Sequence, residues 1–193
     1  MGFIMRVYKS AYKTRLIALL FGLSFVQTSY ASDNWLGVKS MSWGVEDSNL
    51  HFQAKLHFTL SPVAREALRS GIILYWDSEL IVSEAHFFSL WNRYIADNSV
   101  RYSLSYNTLF NDYRVTSDVS SDYRRFSSLL DAFDYLGSQR HELKLLPDAY
   151  NSKCIFVDFN MSFDKESLPI PLRPIAYFSA NWNLSTNARM KCE

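Results

Sequence analysis

Leu50-His51-Phe52-Gln53-Ala54-Lys55-Leu56-His57-Phe58-Thr59-Leu60 alternates apolar and polar side chains without a break. Successive side chains of a β-strand point to opposite faces, so this stretch predicts a strand with one buried and one wet face. Gly37 to Val45 predicts the strand before it, and Asp47-Ser48-Asn49 supplies the turn that joins them as a hairpin. A second alternating run occupies Lys153 to Phe163. There Ile155, Val157, Phe159, Met161 and Phe163 form one face, and Cys154, Asp158, Asn160 and Ser162 belong to the other.

Between these two runs the punctuation is that of short helices and further strands. Ser61 is a good N-cap, Pro62 suits the first helical position, and Gly71 closes the helix. Ile72 to Val82 is apolar on both faces near its start, which predicts a central, covered strand. Arg101 to Phe110 alternates with Tyr102, Leu104 and Tyr106 inward, Asn111-Asp112 turns the chain, and Tyr113 to Thr116 resumes a strand. Ser117 to Asp122 is expected as a loop. Ser127 or Ser128 opens a second helix, with Leu129, Leu130, Phe133 and Leu136 on its core face and Gly137 as its stop. Ser138 to Ser152 is expected as loop with a short strand. The three prolines between Leu168 and Pro174 exclude a central strand there, and Tyr177 to Leu184 is expected as the last strand. The fold class that follows is mainly β (α+β): an antiparallel β-sandwich-like domain of about seven or eight strands with two short helices. No strand-helix-strand rhythm suggests a parallel nucleotide-binding sheet.

The first thirty-one residues read as a signal peptide. Arg6, Lys9, Lys13 and Arg15 make a basic start without an acidic residue, Leu16 to Val26 is apolar, and Ser29-Tyr30-Ala31 offers the small-x-small pattern of a cleavage site. The apolar run is shorter than the roughly 20 residues that a membrane span needs. Cleavage after Ala31 is expected, with export by the general secretory pathway to the periplasm or beyond and a single domain over 32–193. Membrane attachment then arises only through an uncleaved leader. The chain holds 20 basic and 19 acidic residues; without the leader it is 16 against 19, a formal charge of −3. That balance excludes a concentrated basic face for nucleic acid. Cys154 and Cys192 are the two cysteines, and an oxidising compartment permits a bridge between them.

The motifs of chemistry are sparse. His51 and His57 share one strand face but lie roughly 20 Å apart by strand rise, too far for one metal. They read as solvated strand histidines; His86 and His141 are the other two histidines of the chain. Asp77 and Glu79 share a face of an otherwise apolar strand, and Asp158 and Asn160 share another. Paired carboxylates can do acid–base work, yet two acids on the wet side of a strand are ordinary. No nucleophile elbow, phosphate loop, dinucleotide fingerprint or zinc-protease helix occurs. No catalytic residue, metal or cofactor is expected. The load of 5 Trp, 12 Tyr and 14 Phe mostly fills a core. Trp43, Trp91, Tyr94 and Trp182 are the candidates for a binding surface, since such rings combine apolar area with a polar tip.

Several short stretches, in their order and spacing, resemble a bacterial exported family known as domain of unknown function 4390. They are Leu60-Ser61 with Glu66-Ala67-Leu68 and Gly71-Ile72, Leu104-Ser105-Tyr106-Asn107 followed by Tyr113-Arg114-Val115, Phe126 with Leu129, Ala132 and Leu136, Leu168-Pro169 with Pro171, and Trp182-Asn183-Leu184-Ser185. The resemblance runs over 35–185. The family usually has a tryptophan doublet where this chain has Phe87-Phe88 and Trp91. From the family pattern, Ala85 to Asn98 leans to strand, although its aromatic spacing also suits a helix. The resemblance implies an exported envelope protein of about this size with no assigned activity and no catalytic residues. Members are often encoded beside a membrane sensor histidine kinase, which implies an envelope-sensing role. The reading is a non-enzymatic module that binds an envelope protein partner. The alternatives are a small-ligand or glycan-binding sandwich and, last, a hydrolase with carboxylate chemistry.

Overall fold

The structure, a computed structural model, describes residues 36–84, 93–145 and 155–191. The described chain is mainly β, with nine strands in two antiparallel sheets. The first hairpin is β1 (Leu36–Glu46) and β2 (Asn49–Phe58), joined by Asp47 and Ser48, both with positive φ. Helix α1 (Pro62–Arg69) leads to β3 (Leu74–Glu84) and β4 (Arg93–Asn107), then β5 (Asp112–Ser117) and β6 (Ser120–Phe126). Helix α2 (Leu129–Leu136), β7 (Ser138–Lys144), β8 (Ile155–Phe163), the short helix α3 (Arg173–Phe178) and β9 (Thr186–Lys191) complete it. One sheet has the order β1-β2-β7, the other β6-β5-β4-β3-β8-β9.

The alternation in β2 does what its pattern dictates. Leu50, Phe52, Ala54, Leu56 and Phe58 are buried, and the polar residues between them are exposed. β8 mirrors it, with Ile155, Val157, Phe159, Met161 and Phe163 inside. The two inner faces meet as a sandwich: the rings of Phe52 and Phe159 stack at 5.2 Å, and Phe58 meets Trp76 edge-on at 5.0 Å. Ser61 caps α1 by accepting from the Ala64 N–H at 3.1 Å, and Gly71 takes the left-handed φ of 87° beyond the helix end.

Several expectations are corrected. Ser117 to Asp122 is a tight strand-to-strand reversal that opens β6, because Asp118 and Val119 suffice as the turn. Leu130 is 74% exposed and leaves the core stripe of α2 to Leu129, Ala132, Phe133 and Leu136. Tyr177 to Leu184 is not a strand. Pro174 starts α3 and Ser179 caps a 3-10 turn over Ala180–Trp182 by accepting from the Asn181 N–H. The last strand is β9, a polar edge strand whose alternation carries few apolar residues. β3 is central, between β4 and β8, but begins only at Leu74; Ile72 and Ile73 belong to the connection. Among the described residues no helix is long and apolar enough to cross a membrane.

Candidate functional site

The deepest polar chemistry lies between the sheets. Ser78 of β3, Gln139 and His141 of β7 are buried, at 0%, 1% and 4% exposure. Ser78 Oγ lies 3.0 Å from His141 Nε2, and His141 Nδ1 lies 2.8 Å from the Asn98 side-chain amide. A serine, an imidazole and an amide in line resemble a nucleophile with its base and orienting group. Access decides otherwise. Asn98 Oδ1 faces His141 Nδ1 and accepts its N–H, which leaves Nε2 with a lone pair toward Ser78. Gln139 donates its Nε2 to the Leu136 carbonyl and its Oε1 faces Ser78 at 2.9 Å, so His141 Nε2 and Gln139 Oε1 compete for the one Ser78 proton. Burial pushes the His141 pKa down to about 4, so the neutral ring fits this network. Ser78 has no exposed surface and is closed to any substrate. The cluster ties the sheets together by satisfied hydrogen bonds.

His141 is thus a buried histidine, for which its sequence context carried no expectation. Gln139, His141 and Leu143 face inward while Arg140, Glu142 and Lys144 face out. The cue was the charge at every second position, in a strand too polar to betray its buried face by hydrophobicity. His51 and His57 are exposed, as expected of wet-face histidines, and His86 lies outside the described residues.

The carboxylates of the outer sheet face do not converge on a base. Asp77 sits 3.7 Å from Arg101, which also pairs with Asp164. Glu79 lies opposite Ser99 and Asn160. Asp158 pairs with Arg189. Among the described residues no cluster of histidine, cysteine or acid fits a metal. The aromatic candidates do not form one surface. Trp182 is fully buried, stacked on Phe163 at 5.7 Å, with its Nε1 lacking a partner. Trp43 is half-buried against the core. Tyr94 is exposed and bonds to Asp97 through its hydroxyl. Trp91, like Cys154 and Cys192, lies outside the described residues.

Two surface concavities flank α1 instead. One, of about 510 Å³, has Leu56, Phe58 and Phe133 as its buried floor and Lys39, His57, Arg65 and Arg69 among its walls. The other, of about 530 Å³, is an apolar groove between α1 and the chain around Leu172, formed by Pro62, Val63, Ala67, Ile72 and Leu172 over Trp182. The chain segment that contains Leu172 also carries the exposed Ile170, Ile175, Tyr177 and Phe178, the last 93% exposed.

The Trp182-Asn183-Leu184-Ser185 stretch is structural: the Leu184 carbonyl accepts from Trp76 Nε1 at 3.1 Å, and Ser185 Oγ accepts from the Phe163 N–H at 2.8 Å. No curated protein and no solved structure matches this chain. A family model does, over residues 33–191, and the chain belongs to the family described as Domain of unknown function (DUF4390).

Proposed function

We propose that this is an exported, non-enzymatic binding module of the bacterial envelope that docks a protein partner through the apolar groove beside α1. The observation that carries it is the exposure of Ile170, Ile175, Tyr177 and Phe178 in the chain segment around Leu172, the residue of that segment that lines the mostly apolar groove. A solvated phenylalanine at 93% exposure costs the free protein and is repaid when a partner covers it. Aromatic anchors of this kind dominate interface energies. In the Ser78–His141–Asn98 chain, the best acid–base candidate among the described residues, Ser78 and His141 are buried away from any substrate. Export rests on the leader, and the family match supports that boundary by starting at residue 33, just past the cleavage point after Ala31. A membrane sensor histidine kinase is the partner class that the family resemblance suggests.

The test is a photo-crosslinking residue at Phe178 in living cells, with Leu109 as the exposed apolar control. A discrete envelope adduct from position 178 and none from 109 is expected. Equal capture at both positions, or a chain retained in the cytoplasm with Met1 at its start, overturns the proposal.

The Cys154–Cys192 bridge belongs to the same reading. Their chain neighbours Ile155 and Lys191 end adjacent strands, with Phe156 paired to Lys191. Protein purified from the envelope is expected to show no thiol to an alkylating reagent when unfolded without reductant, and two after reduction. Two reactive thiols before reduction refute the bridge.

A further inference from the structure

The cleft on the other flank of α1 differs from the apolar groove in one respect, its charge. Lys39, Arg65 and Arg69 line it with His57, and Asp134 is the one acid among its lining residues. Arg65 and Arg69 are four apart on a helix, so two like charges stand side by side, an arrangement that destabilises a helix slightly. Among the described residues no ion pair or hydrogen bond engages the side chains of Lys39, Arg65 or Arg69. Lys39 reaches the cleft from a β-bulge. Val38 pairs with Leu56 and Ser40 with Lys55, which leaves Lys39 as the extra residue of β1. Bulges re-aim side chains in this way and gather beside functional sites. Beneath the cations the floor is apolar, built from Leu56, Phe58 and Phe133. The volume, about 510 Å³, falls in the range of small-molecule sites.

We propose that this cleft binds a single-chain anionic amphiphile, its acid head held by Lys39, Arg65 and Arg69 and its hydrocarbon chain laid on Leu56, Phe58 and Phe133. The site is independent of the partner-docking groove, because Arg65 and Arg69 lie on one flank of α1 and Val63 and Ala67 on the other. A long anion satisfies both halves of the cleft. An inorganic anion leaves the floor wet, and a neutral chain leaves three cations unneutralised.

The experiment is calorimetric titration of the leaderless protein with dodecanoate below its micelle threshold, beside dodecyltrimethylammonium and acetate. Saturable 1:1 binding of dodecanoate alone is expected. The Arg65→Glu/Arg69→Glu variant is expected to bind at least tenfold more weakly, and Arg65→Gln/Arg69→Gln to fall between. Lys144→Glu, at the far end of β2's partner strand, is expected to match the parent, as is Val63→Asp in the groove. All four substituted positions are exposed, and an unchanged melting midpoint checks that each variant folds. Equal binding of the cationic and anionic amphiphiles overturns the proposal, as does loss of binding in Val63→Asp with none in the arginine variants. Anionic phospholipid vesicles form a separate arm. Sedimentation with vesicles without binding of free dodecanoate refutes a site for the free amphiphile.

Discussion

Acidification from pH 7 to pH 4 is expected to remove about 2–3 kcal/mol of folding stability, most of it between pH 6.5 and pH 4. The cause is His141. Its folded pKa is about 4 because burial disfavours the imidazolium, whereas an unfolded histidine titrates near 6.5. Between those values the unfolded chain binds the proton and the folded one does not, so stability rises with pH across the window and is flat above it. The groups packed about the ring are Ser78, Asn98, Phe52 and Phe159, and none offers a carboxylate to hold an imidazolium. Asp164 acts elsewhere on the scale. Burial raises its pKa, but the Ser167 hydroxyl and backbone N–H and the Arg101 guanidinium outweigh burial and hold it below 3.8. Its contribution is present above that value and is lost only as pH falls through the lower folded pKa. Urea unfolding at pH 7, 5.5 and 4.5 measures the slope. The His141→Gln variant keeps a polar side chain at the site and is expected to lose most of the slope, whatever it costs at pH 7. A slope unchanged in that variant sinks the assignment.

The parts of the fold legible in the sequence were those in which burial leaves a rhythm. β2 and β8 each bury one whole face of apolar residues, so alternation named both strands and both inner faces. The caps Ser61 and Ser128 were legible because a short oxygen before a helix has one common use. What failed was polar. β7 buries Gln139 and His141 and exposes charges, so its hydropathy is nearly flat, and β9 is an edge strand with little to bury. Trp182 was sought on the surface because tryptophan favours interfaces, yet it fills the core beside Phe163. The cleft was invisible for a different reason. Lys39, Arg65 and Arg69 come from a strand bulge and a helix distant in sequence, and only tertiary contact places them over Leu56 and Phe133.

Gly137→Ala is expected to destabilise the protein by roughly 1–3 kcal/mol and to distort the cleft floor. The sequence offered Gly137 as a helix stop, a role that ordinarily exploits glycine's access to positive φ. Its φ is −75° and ψ −11°, values any residue adopts. The need is for room. A Cβ there would stand 2.9 Å from the Leu56 carbonyl oxygen and 3.0 Å from that of Phe133, and both are backbone atoms that cannot swing aside. Both are also hydrogen-bonded neighbours: Leu56 N–H donates to the Gly137 carbonyl at 2.8 Å, and Gly137 N–H donates to Phe133 at 2.7 Å. The glycine is where the end of α2 is fastened to β2. An added methyl must part the helix from the strand, and Leu56 and Phe133 form the floor on which the proposed amphiphile lies. The variant is therefore expected to lower the melting midpoint and to weaken dodecanoate binding together. Gly44→Ala serves as the comparison, since a Cβ there meets nothing within 4 Å, and it is expected to alter neither. A Gly137→Ala protein as stable as the parent would mean that the contact between α2 and β2 yields without cost, and that the floor of the cleft is not held by it.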